Sequence, residues 1–84
     1  MDLREATISD HARGQIAKRE IAEPDVRRVL ALPDEVLPVR PGRVVAQSLL
    51  GRHLLRVFVD VDRRPPEVVT VYRTSKVQKY RSQP

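Results

Sequence analysis

Residues 53–61 read His-Leu-Leu-Arg-Val-Phe-Val-Asp-Val. Successive side chains of an extended chain point to opposite sides. Leu55, Val57, Val59 and Val61 therefore share one face, and Leu54, Arg56, Phe58 and Asp60 the other. One face is wholly aliphatic, while the second mixes a cation, a carboxylate and a ring. This predicts a strand whose first face is packed and whose second is polar.

The flanks extend that strand into a meander. Gly51-Arg52 reads as a tight turn and Arg43 to Leu50 as the strand before it. Pro41-Gly42 is a second turn signal. Val36 to Val39 fits an edge strand, because Pro38 has no N–H to give to a ladder. On the other side, Arg63 to Pro66 forms a loop, and Glu67 to Arg73 is the last strand. Simple alternation there puts Val69 and Val71 on one face and Val68, Thr70 and Tyr72 on the other.

Upstream the period changes. Val26, Val29 and Leu30 recur at i, i+3 and i+4, the spacing of one helix face, with Arg27 and Arg28 outside. Pro24 suits the first turn of this helix, where its missing N–H costs nothing, and Pro33 stops it. A preceding helix runs from Ser9 or Asp10 to about Glu20, with Ala12 and Ile16 inward. Either Ser9 or Asp10 can cap it by accepting from unpaired backbone N–H groups. Arg19 is expected to pair with Asp25 or Glu23 and pin the two helices together. Residues 3–8 carry a weak signal for a short first strand. Two helices followed by strands predict an α+β fold: two N-terminal helices on one face of a mainly antiparallel sheet of about four strands.

Composition bounds what such a fold can do. The chain has 84 residues, enough for one small domain over 1–84 with a single two-layer core. Hydrophobic residues are 40% of the chain and aromatics only 4%, so the core is built from Val, Leu, Ile and Ala. With no Cys there are no disulfides, thiolate metal sites or cysteine nucleophile. No apolar run approaches the ~20 residues a bilayer requires, and the N-terminus has no signal-peptide pattern. The expected setting is the cytoplasm, away from membranes.

Charge is unevenly spread. The net charge is +5. Residues 1–67 hold twelve of the sixteen Lys and Arg together with all eleven acids. Residues 68–84 hold Arg73, Lys76, Lys79 and Arg81 with no acid, plus Tyr72 and Tyr80. Cations neutralise phosphates and tyrosines stack on bases, so this segment suits a polyanion. The competing expectation is that 74–84 is merely a solvated basic tail.

Ser9-Asp10-His11-Ala12, then Arg19-Glu20-Ile21 and Asp25-Val26, resemble the opening of the bacterial family catalogued as domain of unknown function 4258. Val69-Thr70-Val71-Tyr72-Arg73-Thr74-Ser75-Lys76, then Lys79-Tyr80, resemble its end. That family is grouped with RelE/ParE-like and BrnT-like toxins of bacterial toxin–antitoxin systems. The resemblance implies a sheet backed by two N-terminal helices, a cognate antitoxin, and an mRNA endoribonuclease acting on RNA or the ribosome without a cofactor.

Metal-free RNA cleavage needs a base for the 2′-hydroxyl proton, an acid for the leaving oxygen, and cations for the charge growing on the phosphate. The candidates are Arg73 and Lys76 for charge, Tyr80 for stacking or proton transfer, and His11 as an acid–base group. His11 is weighed against a structural role in a first helical turn. Arg56, Tyr72, Lys79 and Arg81 are candidates for holding RNA, with Tyr72 against Phe58 as the packing alternative. His53 is expected at the surface. Asp60 and Asp62 superficially suggest a metal pair, but no third ligand follows at useful spacing. A non-catalytic RNA- or protein-binding module is the rival reading. The nucleolytic expectation requires that the cationic segment and the uncovered sheet face form one docking place.

Overall fold

The computed structural model describes residues 2–81. Its elements are β1 (Thr7–Ile8), α1 (Asp10–Lys18), α2 (Glu23–Ala31), β2 (Glu35–Arg40), β3 (Arg43–Leu50), β4 (His53–Asp60), β5 (Glu67–Thr74) and α3 (Val77–Tyr80). The sheet order is β1-β5-β4-β3-β2. All pairs are antiparallel except β1–β5, which is parallel. The architecture is therefore α+β with five strands rather than four. The fifth is the two-residue strand at the N-terminus, a shorter piece than residues 3–8.

α1 starts where the sequence places it. Ser9 is the cap, its hydroxyl accepting from the Ala12 N–H at 3.1 Å. It ends in a left-handed residue, Glu20, at φ 53°. The Ile21 N–H returns to the Ile16 carbonyl at 2.9 Å and the Glu20 N–H to Ala17 at 3.2 Å, the paired bonds of a Schellman ending. Ile16 and Ile21 are both buried there, so the same turn that ends α1 also folds its apolar stripe towards α2.

Both helices pack on one side of the sheet. Ala12, Ile16, Ile21, Val26, Val29 and Leu30 meet Ala46, Leu55, Val57, Val59, Val68 and Val71. The aliphatic face of β4 is thus the core, as its alternation predicts. β5 departs from simple alternation. The register steps from Phe58↔Thr70 to Val59↔Val68, leaving Val69 as an extra residue. This bulge returns Val68 to the core face alongside Val71, so both are fully buried. Val69 is not the core partner that strict alternation expects.

The two hairpin turns fix the register. Gly51 has φ 63° and opens a two-residue loop that pairs Leu50 with His53. Gly42 has φ 82°, and a Cβ on it would meet Asp62 Oδ2 at 2.8 Å. The Val61 N–H donates to its carbonyl at 2.9 Å, tying that turn to the end of β4.

Arg19 does not pair with Asp25 or Glu23. Its Nη1 donates to the Val71 carbonyl at 2.7 Å, while Arg13 takes Glu23 at 2.8 Å. The Schellman turn carries Arg19 against β5, where a bulge-side carbonyl is in reach.

Candidate functional site

Across the second sheet face one row of side chains runs over four strands. The register pairs Glu35 with Gln47, Gln47 with Arg56, and Arg56 with Tyr72. Hydrogen bonds follow the same row. Gln47 Nε2 donates to Glu35 Oε1 at 2.9 Å, Arg56 Nε donates to Gln47 Oε1 at 2.9 Å, and Arg56 Nη1 donates to the Tyr72 hydroxyl at 2.6 Å. Gln47 is fully buried, and burial of such polar groups is tolerated because each has a partner.

α3 closes over this row. Thr74 is the last residue of β5 and residues 77–80 form one helical turn, while residues 82–84 of the expected basic tail lie outside the described residues. The Tyr80 carbonyl accepts from Gln47 Nε2 at 3.0 Å. The Tyr80 ring lies 4.3 Å from the Arg56 guanidinium carbon and meets the Tyr72 ring edge-on at 6.4 Å. Tyr72 in turn stacks on Phe58 at 5.9 Å. Arg56 is therefore ringed by three aromatics, with Phe58 at 5.2 Å and Tyr72 at 5.6 Å, each cation–π contact adding ~0.5–2 kcal/mol.

The Lys79 ammonium stands 5.3 Å from the Tyr80 ring. That charge first, then a hydrogen bond with Tyr72, and last the Arg56 charge hold the Tyr80 hydroxyl below the usual tyrosine range. Among the described residues Arg56 Nη2 has no hydrogen-bond partner. The geometry thus joins an oriented guanidinium, an acidified phenol and an ammonium on one partly exposed surface.

The sequence-derived candidates do not all converge here. Arg56, Tyr72, Tyr80 and Lys79 do. Arg73 pairs with Leu55 in register, so it projects on the helix side. Its Nη2 donates to the Arg19 carbonyl at 3.2 Å, and it lines a cleft of about 140 Å³ with Ile21, Asp25, Leu50, His53 and Leu55. His53 is exposed at the surface, as expected. His11 is exposed on α1 beside Gln15, Lys18 and Arg19, also on the helix side. Lys76 and Arg81 flank α3 and are exposed. Gln47 and Glu35 were not singled out by residue type. The signal was in the register: counting four residues back from the Gly51-Arg52 turn and four forward places Gln47 opposite Arg56.

Asp60 is held by Arg43, Nε to Oδ1 at 2.6 Å and Nη2 to Oδ2 at 3.3 Å. That hydrogen bond keeps its carboxyl below the usual carboxylate range. Among the described residues no three His, Asp or Glu side chains are grouped to hold a metal ion, and no helix is long and apolar enough to cross a membrane.

Fold and site together define a small α+β protein with a cation–aromatic row on the sheet face opposite α1 and α2. The family model described as Domain of unknown function (DUF4258) matches residues 8–73, and the chain belongs to that family. The match ends at Arg73, so Lys79 and Tyr80 lie beyond it. No curated protein and no solved structure matches the chain, so the likeness to RelE/ParE-like and BrnT-like toxins rests on the sequence resemblance alone.

Proposed function

We propose that this protein binds RNA on the sheet face opposite α1 and α2 and cleaves it without a metal ion, as the toxin of a toxin–antitoxin pair. The observation that carries the reading is the Arg56 guanidinium, oriented by Gln47 and Tyr72 and overlaid by Tyr80, with one arm of its fork without a partner among the described residues. In this reading the Tyr80 phenolate takes the 2′-hydroxyl proton, and the 2′-oxygen attacks the adjacent phosphorus. The 5′-oxygen leaves with a proton from the ammonium of Lys79, 5.3 Å from the Tyr80 ring, or from that of Lys76. The products are a 2′,3′-cyclic phosphate and a 5′-hydroxyl. Arg56 neutralises the phosphate oxygens as charge builds, and its planar fork matches two of them. An antitoxin would act by covering this face. Arg73 and His11 have no part in the reaction, since they project from the other side of the sheet.

The rival reading, binding without cleavage, is favoured by one feature: Arg56 is already hydrogen-bonded along the row, as a rigid stacking platform would be. Incubating the purified protein with labelled RNA in EDTA separates the two. New fragments ending in cyclic phosphate support cleavage, and Tyr80→Phe and Arg56→Ala should each lower the rate by about 10²-fold. Retention without fragments leaves the binding module. No retention even at low salt overturns both.

A further inference from the structure

We propose that Gln47 is a positioning residue, whose single buried amide fixes Arg56 and the Tyr80 helix to one point of β3 so that guanidinium and phenol meet over the sheet. The amide offers two N–H donors and one carbonyl oxygen. Both donors are used, on Glu35 Oε1 at 2.9 Å and on the Tyr80 carbonyl at 3.0 Å, and the oxygen accepts from Arg56 Nε at 2.9 Å. Only one orientation of the amide works. Flipped, it would set a donor against Arg56 Nε–H and an acceptor against a carboxylate and a carbonyl. Gln47 is 0% exposed, so no water substitutes for these bonds.

The need for such a clamp follows from α3 itself. It has four residues, too few to be stable alone. The Tyr80 carbonyl is one of those a helix end leaves unpaired, and Gln47 supplies its partner. Without Gln47, α3 loses a tether and Arg56 loses the bond that orients its fork, both at once. The catalytic consequence rests on the RNA-cleavage reading, but the placement itself does not.

The test uses the full chain with ¹³Cζ-labelled tyrosine and no RNA, Tyr72→Phe assigning the two resonances. Gln47→Met keeps length and apolar packing but removes all three bonds. In it the Tyr80 titration should move up towards the ordinary tyrosine range, as Arg56 and Tyr72 lose their fixed relation to it. Gln47→Glu keeps an acceptor for Arg56 but cannot donate to the Tyr80 carbonyl, so Tyr80 should again move up while Arg56 Nε–H stays protected. In the unmodified protein that N–H should exchange with water more slowly than the Nε–H of exposed Arg52. An unshifted Tyr80 in either variant, or equal exchange of Arg56 and Arg52 in the unmodified protein, overturns the proposal. A shifted Tyr80 in a protein that never cuts RNA sinks the cleavage reading alone.

Discussion

Tyr80 sets the pH behaviour of the proposed reaction. Its hydroxyl is held below the usual tyrosine value, about 10, chiefly by Lys79. A base acts in its ionised form, so cleavage should rise with pH through a midpoint below that value. Lys79→Met should push the midpoint up, and a rate profile that ignores Lys79→Met would remove Tyr80 as the base. Asp60 gives a second pH-linked effect. Arg43 depresses its carboxyl, so the stability it contributes is present above the ordinary aspartate pKa of about 3.9 and is lost as pH falls through the lower folded value. Asp60→Asn should cost about 1–3 kcal/mol near neutrality and flatten the acid limb of the stability curve, read by urea unfolding across pH. Glu20 tests the turn between α1 and α2. A non-glycine at φ 53° is strained there, so Glu20→Gly should stabilise by roughly 1 kcal/mol, with a higher urea midpoint as the readout. A lower midpoint would mean that the Glu20 side chain contributes more than its backbone costs.

At the level of elements, what could be read from the sequence divides by the kind of force involved. The aliphatic face of β4, the i, i+3, i+4 pattern of α2 and the turn glycines were all legible, because each is a local rule about burial or backbone angle. The bulge at Val69 was not, since it depends on matching two strands that the 63–66 loop joins at an unknown offset. Arg19 likewise went to a β5 carbonyl that only tertiary packing brings near. The short helix α3 has no periodic apolar stripe to announce it; its place comes from one amide, one ring and one guanidinium on the sheet. Cross-strand neighbours made the row, whereas residue types alone put Arg73 forward for charge and Arg56 only for holding RNA. Their separation by face makes a direct prediction: Arg56→Ala should abolish most cleavage, whereas Arg73→Ala should leave it within about twofold. Equal losses would mean that RNA wraps the sheet edge to reach both.

For the molecule as a whole, the main core uses the sheet face beneath α1 and α2, while the other face carries a polar row, an aromatic cluster, a short C-terminal helix and the buried Val45 and Leu54. Core and candidate site share β4 but oppose each other through the pleat, so Leu55, Val57 and Val59 brace the strand that presents Arg56 and Phe58. The net charge of +5 adds a long-range pull on any polyanion, and affinity for RNA should therefore fall steeply with salt. The most direct measurement is amide chemical-shift mapping of the ¹⁵N-labelled chain with a 2′-O-methyl oligonucleotide, which binds but cannot be cut. The account predicts shifts concentrated at Gln47, Arg56, Phe58, Tyr72 and residues 77–81. Shifts gathered instead on α1 and around Arg73, or none at low salt, would contradict it.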